Sequence, residues 1–203
     1  MAFTFVPENG TVLDVLEKIA ATNHISHFNV LGYTHIAQTD YSPEGGEINF
    51  NTPIKANLLA DRDYIGSQIT AVENSRDKYI AVSSLVRLND SKPAHIFQLD
   101  YDQSLSLENL GQFVAKLEAV SKMGNIFRQV SPLYLFLSGG GYHAYGGVVK
   151  YEDFQEGLVY LRQSGIVDPK WIDLSRARGF SDLRISKNQS KRQIPSLIGK
   201  VTW

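Results

Sequence analysis

The segment Phe97–Asp102, which reads FQLDYD, decides how this chain is interpreted. Two carboxylates, Asp100 and Asp102, stand two residues apart at the end of an apolar run. Because side chains alternate along a β-strand, both point to the same face. Two acids on one face repel each other and are costly to leave uncompensated, so such a pair most simply holds a divalent metal ion. The alternative is an exposed strand end or turn that carries two acids.

The bulk composition predicts an ordinary globular protein. Of its 203 residues, 43% are apolar and 20% are charged, and a chain of this length can bury about 70% of its unfolded surface. The absence of cysteine excludes disulfides and thiolate zinc sites. Neither a membrane-spanning stretch nor a signal peptide is recognisable, which predicts a cytoplasmic protein with no membrane partner.

The charge is distributed unevenly along the chain. From Lys170 onward eight basic residues face two acids, giving +6, so the first 169 residues carry −7 of the overall −1. A basic block of this kind can hold phosphates by charge. The alternative is a solvated surface.

A second apolar run, Leu133–Leu137, ends in the motif SGGGYH. Three consecutive glycines let backbone N–H groups approach an anion closely. Ser138 adds a hydroxyl, and His143 on the following strand can donate to a phosphate oxygen or a sugar. The alternative is a flexible hairpin with a structural histidine. No Gly-Lys-Ser/Thr follows, so this is not a Walker A loop.

Two acids further along compete for the role of a third carboxylate. Asp173 lies in the sequence WIDL with apolar neighbours, like Asp100, whereas Asp168 precedes a proline and is typical of a turn or helix cap. Downstream, Arg184 alternates with apolar residues as on a strand, and Lys187 follows in a polar loop. Arginine suits bidentate phosphate contact, and lysine supplies a point charge. Each of these could also be a surface residue.

Apolar periodicity and capping residues predict an α+β fold with a mostly antiparallel sheet flanked by helices. No linker divides the chain, so residues 1–203 are expected to form a single domain. The predicted helices are 11–22, with Thr11 as the cap, 58–73, 106–122 and 153–164. The predicted strands are short ones within 25–60, then 78–87, 95–101, 132–137, 143–150 and 183–185.

Taken in order, these motifs resemble those of the archaeo-eukaryotic primase superfamily, especially the small primase-polymerase domains of plasmids, phages and mobile elements. Leu99–Asp102 matches the family's apolar strand ending in Asp-x-Asp, and Ser138–His143 matches its Ser-Gly-x-Gly-x-His motif. Ile172–Asp173, with Arg184 and Lys187 beyond it, matches the third motif. The resemblance covers residues 78–192.

The resemblance implies an RRM-like sheet (78–203) packed beside a second small α/β unit (1–77), with the active site in the groove between them. The implied ligands of two Mg²⁺ or Mn²⁺ ions are Asp100, Asp102 and Asp173, with Asp168 as the alternative third ligand. The residues implied to bind the nucleotide are Ser138, Gly140, Gly141, His143, Arg184 and Lys187.

The implied activity is that of a DNA primase or polymerase, in which a 3′-hydroxyl attacks the α-phosphate and releases pyrophosphate. The expected partners are a DNA template and primer, an NTP or dNTP, and a helicase or another replication subunit. Unlike many relatives, this chain has no basic residue within its glycine turn. Two alternatives stay open: a catalytically inactive nucleotide- or nucleic-acid-binding accessory protein of replication, and a metal-dependent phosphohydrolase or nuclease.

Overall fold

The computed structural model describes residues 3–34, 47–55, 62–101, 107–122, 126–139, 141–189 and 192–203. Within these ranges the chain forms nine strands and six helices, and all the strands join one antiparallel sheet. The predicted α+β class is therefore confirmed. Among the described helices, none combines the length and the apolar character that crossing a membrane requires.

The elements follow one another as a mixture of hairpins and helical connections. In chain order they are β1 Thr4–Pro7, α1 Val12–Asn23, β2 Ile25–Thr34, β3 Glu47–Lys55, α2 Arg62–Val72, β4 Lys78–Leu88, β5 Pro93–Tyr101, α3 Leu107–Ser121, α4 Ile126–Gln129, β6 Leu133–Leu137, β7 Tyr142–Val149, α5 Tyr151–Ser164, α6 Pro169–Arg178, β8 Asp182–Arg184 and β9 Ser196–Thr202. Across the sheet the order is β1-β9-β6-β7-β5-β4-β2-β3, and β8 pairs with β4 outside this order.

Helix α1 begins where its capping residues predict. The Asp14 N–H donates to Thr11 Oγ1 (3.2 Å), and the Thr11 N–H donates back to Asp14 Oδ2 (2.8 Å), which completes a capping box. The buried stripe of α1 packs on one face of the sheet, in a core shared with Tyr134 and Phe136 of β6. This stripe consists of Val12, Val15, Leu16, Ile19 and Ala20.

Strand β6 separates two cores. Tyr134 and Phe136 face the α1 side, whereas Leu133 and Leu135 belong to the core formed with α3 to α6. A strand that is buried on both faces reads as a continuous apolar run, which explains why LYLFL was recognisable in the sequence.

Strands β4 and β5 separate part-way along their length, and we call this separation the fork. Their register pairs are confined to Leu85–Arg87 and Pro93–His95. Beyond that point β8 takes the place of β5 as the neighbour of β4. The Gln98 side chain spans the gap, because its Nε2 donates to the Val82 carbonyl (3.1 Å) and its Oε1 accepts from Ser181 Oγ (2.9 Å).

Buried polar side chains continue from this bridge to the closed end of the fork. Ser84 Oγ accepts from the Ser181 N–H (3.0 Å) and lies 3.2 Å from His95 Nδ1. The His95 ring is buried and stacks on Phe154, with 4.3 Å between ring centroids. His95 is thus a structural histidine, and burial lowers its pKa to about 4.

Four elements of the fold were not predicted. Residues 126–129 form helix α4 and residues 169–178 form helix α6, and strands β1 and β9 were also missed. Helix α6 has little apolar periodicity, since only Ile172 and Ser175 are buried along it. The helix-cap interpretation of Asp168 is confirmed, because its Oδ1 accepts from the Lys170 N–H (2.9 Å).

We expect the buried His95 to make stability depend on pH between its folded pKa of about 4 and its unfolded value near 6.5. In that window the unfolded state binds more protons, so the free energy of unfolding falls as the pH drops from about 6.5 to 4. The slope attributable to His95 is at most about 1.4 kcal/mol per pH unit. Urea unfolding at a series of pH values measures it.

His95→Asn should flatten that slope, while His24→Asn, at an exposed histidine with positive φ (56°) that asparagine tolerates, should leave it unchanged. Equal slopes in the wild-type protein and in His95→Asn would contradict the assignment.

Candidate active site

Asp100 and His143 lie opposite each other on the neighbouring strands β5 and β7. Their register pairing puts both side chains on the same face of the sheet, and Asp100 Oδ1 lies 3.6 Å from His143 Nε2. The His143 side chain is buried, whereas 25% of the Asp100 side chain is exposed. Asp100 therefore offers carboxylate oxygens to solvent next to a fixed imidazole. Asp102 lies outside the described residues.

The glycine turn connects this pair to β6. Ser138 Oγ is hydrogen-bonded to His143 Nε2 (2.7 Å), and the Ser138 N–H donates to the Gly141 carbonyl (3.0 Å). Gly139 has φ of +83°, a conformation that favours glycine, while Gly140 lies outside the described residues. The turn thus holds the serine hydroxyl against the same imidazole nitrogen that faces Asp100.

Arg184 approaches the turn from β8. Its Nη1 donates to the carbonyls of Ser186 and Gln193 (the latter at 3.0 Å), and its Nη2 donates to the Ser138 carbonyl (3.4 Å). Burial lowers the pKa of the Arg184 guanidinium, and the charge of Asp100 partly opposes that shift. The structure therefore brings together five of the predicted site residues: Asp100, Ser138, Gly141, His143 and Arg184.

The described ion pair of Lys187 is with Glu73 and not with a residue of the glycine turn. Its Nζ lies 3.1 Å from Glu73 Oε2 on the turn that follows α2. The neighbouring Asn188 Nδ2 donates to the Lys78 carbonyl (3.0 Å), so this loop is docked at the start of β4. The role of Lys187 as a triphosphate ligand stays a prediction.

The two candidates for a third acid lie at α6. Asp173 is 58% exposed, forms an ion pair with Arg162 of α5, and has a pKa lowered by that pairing. Asp168 caps the same helix. The described partners of these two acids are Arg162 and the Lys170 N–H. Their assignment as metal ligands stays a prediction.

An acid that the sequence interpretation did not select lies close to Arg184. Asp182 lies at the start of β8 with 14% of its side chain exposed, and its Oδ2 accepts from the Tyr33 hydroxyl (2.8 Å) and from Arg178 Nη1 (2.9 Å). Its signal in the sequence was the pattern Asp-Leu-Arg, which puts an acid and an arginine on the same face of one strand.

The described residues supply some, but not all, of the ligands that a divalent cation needs. Asp100 supplies a hard, partly exposed carboxylate, the kind of ligand that Mg²⁺ and Mn²⁺ prefer. In the part of the chain that the structure describes, no three histidine, aspartate or glutamate side chains gather closely enough to hold a metal ion. A complete metal site therefore needs ligands beyond this described set, and Asp102 is the predicted one.

The fold and the site define an α+β domain whose acid, imidazole and guanidinium converge where the paired strands β5 and β7 meet the glycine turn. A protein-family model described as archaeo-eukaryotic primase 1D-like (AEP-like) matches residues 66–196, which is more than half of the chain. The chain belongs to this family, and the predicted superfamily is confirmed. The family is associated with nucleotidyl transfer of the primase and polymerase type. Neither the curated proteins nor the solved structures yield a match.

We expect His143→Ala to raise the KM for the nucleotide more than it weakens template binding. Loss of a hydrogen bond to a charged phosphate costs about 1.5–3 kcal/mol, which corresponds to about 10- to 100-fold in affinity. Steady-state kinetics and template titrations measure the two effects. His27→Ala is a matched control, because His27 also contacts a serine hydroxyl (Ser26 Oγ, 3.1 Å) but lies on β2. An unchanged nucleotide KM in His143→Ala would identify a structural histidine.

Proposed function

We propose that this protein is a DNA primase-polymerase that catalyses template-directed nucleotidyl transfer. The observation that carries the proposal is the convergence of Asp100, His143 and Arg184, in a chain of this family. The proposed partners are a DNA template and primer, an NTP or dNTP, and a helicase or another replication subunit. The proposed location is the cytoplasm.

In the proposed reaction the 3′-hydroxyl oxygen of the growing strand attacks the α-phosphorus of the incoming nucleotide. The new O3′–P bond forms as the bond from the α-phosphorus to the bridging oxygen breaks; pyrophosphate leaves, and the proton of the 3′-hydroxyl passes to solvent water. Three side chains at the site can donate hydrogen bonds to the phosphate oxygens: the Arg184 guanidinium, the His143 imidazole and the Ser138 hydroxyl. Donors fixed before the reaction stabilise the developing charge without reorganising.

Asp100, Asp102 and Asp173, with Asp168 as the alternative third ligand, are the proposed ligands of Mg²⁺ or Mn²⁺, with two ions expected. A bound ion would supply positive charge to the phosphate oxygens. The partial exposure of Asp100 supports this assignment, because a carboxylate must be reachable to exchange water for a cation. Arg184 balances the same carboxylate from within the protein.

The test is primer extension on a short DNA template with labelled nucleotides and Mg²⁺ or Mn²⁺. We expect the wild-type protein to extend the primer, and Asp100→Ala or Asp102→Ala to lower the rate by at least about 100-fold. Asp90→Ala, at an exposed acid of the β4–β5 turn that pairs with Lys92, is the control and should keep wild-type activity. Omitting the primer then tests de novo priming.

The same assay separates the alternatives. Nucleotide binding without extension would overturn the polymerase proposal in favour of an inactive accessory protein. Hydrolysis of nucleotide or DNA without templated synthesis would favour a phosphohydrolase or nuclease. Retained extension in either the Asp100→Ala or the Asp102→Ala variant would overturn the two-metal mechanism.

A separate prediction concerns the third acid. Asp173 pairs with Arg162 and Asp168 caps α6, and we expect the variant of the true third ligand, Asp173→Asn or Asp168→Asn, to lose extension activity while the other keeps most of it. Asparagine also caps helices, so the second variant should stay folded. Loss of activity in Asp173→Asn, with its thermal stability unchanged, would identify Asp173 as the third ligand, whereas full activity in both variants would show that the predicted third motif is wrong.

A further inference from the structure

Strand β8 is so short that its backbone hydrogen bonds alone do not fix its position in the sheet. It has three residues, and its register pairs are with Ala81–Ser83 of β4. The Ser84 N–H donates to the Ser181 carbonyl (2.7 Å) and the Ile185 N–H donates to the Ile80 carbonyl (2.9 Å), which extends the pairing by one bond at each end. A strand of this length needs further anchors, because fixing each residue costs about 1–2 kcal/mol of conformational entropy.

The anchor of β8 is the side chain of Asp182. Its Oδ2 accepts from the Tyr33 hydroxyl (2.8 Å) on β2 and from Arg178 Nη1 (2.9 Å) on α6. Its backbone carbonyl accepts from Trp171 Nε1 (3.2 Å), also on α6. The Tyr33 ring is held in turn by stacking on Tyr79, with 5.0 Å between centroids. Strand β2 and helix α6 thus converge on one residue of β8, and we call this set the Asp182 clamp: Asp182, Tyr33, Arg178 and Trp171.

Stability alone is a poor explanation for the clamp. Burial raises the pKa of Asp182, and the charge of Arg178 and the Tyr33 hydrogen bond oppose the shift. Taking such a pair out of water costs free energy that its mutual attraction only partly returns, and apolar residues of similar volume are often equally stable. A buried ion pair does, however, restrict its neighbours to one geometry.

The position of β8, which the clamp fixes, also determines where the Arg184 guanidinium lies. Arg184 is two residues beyond Asp182 on the same strand, so the two side chains share a face. Its guanidinium reaches the Ser138 carbonyl (3.4 Å), and the Ser138 hydroxyl contacts His143 (2.7 Å). A displacement of β8 therefore moves the arginine relative to the histidine and the glycine turn.

We propose that Asp182 is a positioning residue, which sets through β8 where Arg184 presents its guanidinium to the triphosphate of a bound nucleotide. This inference rests on the proposed nucleotidyl transfer. It assigns a role to an acid that does not itself touch the substrate, and it links α6 and β2 to nucleotide affinity.

The experiment compares the wild-type protein with Asp182→Asn and Tyr33→Phe in two assays, equilibrium binding of labelled ATP and dATP, and primer extension. We expect the nucleotide Kd and KM to rise about 3- to 10-fold, the effect of weakening one hydrogen-bonded contact, while kcat changes less than about 3-fold. Tyr33→Phe keeps the ring stack on Tyr79, so this variant tests the positioning role of Asp182 if Asp182→Asn does not fold.

Two matched controls cover nonspecific effects. Tyr160→Phe removes a tyrosine hydroxyl that donates to Glu156 (2.7 Å) on α5, and Asp90→Asn removes an exposed acid. Both should keep the wild-type Kd and KM. If both assays give wild-type values for Asp182→Asn and Tyr33→Phe, the positioning role is overturned.

A double-mutant cycle with Arg184→Ala tests the route of the effect. If Asp182 acts through Arg184, Asp182→Asn should add less than about twofold to the Kd of Arg184→Ala, because the coupled contact is already gone. Fully additive losses would show that Asp182 acts by another route and would overturn the proposal. A wild-type protein that binds no nucleoside triphosphate would instead refute the proposed function, and this inference with it.

Discussion

The separation of β4 from β5 is the constraint on which the rest of this structure depends. Paired strands satisfy each other's backbone groups, so two strands that diverge in the interior leave donors and acceptors that need new partners. Here β8 supplies them for β4, and Gln98 bridges from β5 to the Val82 carbonyl and to Ser181. The same arrangement brings the arginine of β8 into the electrostatic neighbourhood of the carboxylate of β5. The contacts that satisfy the backbone groups at the fork therefore also position Arg184 in the candidate site.

The parts of the fold that could be predicted are those whose signal is local. Helix α1 was recognisable because its capping box and apolar stripe lie within a dozen residues, and β6 because a strand buried on both faces is apolar throughout. The contact between Ser138 and His143 spans five residues, so the motif already contained it. Asp100 was identifiable because it stands two residues before Asp102 at the end of an apolar run, so that the pattern puts two acids on one face of a strand.

The remainder depends on contacts between residues far apart in the chain. The hydrogen bond from Tyr33 to Asp182 joins positions 149 residues apart, and no local pattern indicates it. The segment around Asp173 was ambiguous for another reason: four residues with apolar neighbours on both sides suit a strand as well as one turn of helix. Its helix is stabilised by the Asp168 cap and by packing of Ile172, so tertiary context decided the outcome.

The contacts of Arg184 indicate how the site would respond to a nucleotide. A guanidinium has five N–H donors, and the two on Nη1 are directed at the carbonyls of Ser186 and Gln193. The Nη2 contact with the Ser138 carbonyl is longer, at 3.4 Å, and so is the weakest of the described three. A phosphate oxygen would therefore compete first for Nη2, while Nη1 keeps the side chain in place. Because Ser138 begins the glycine turn and contacts His143, releasing its carbonyl would couple nucleotide binding to the turn and to the imidazole beside Asp100.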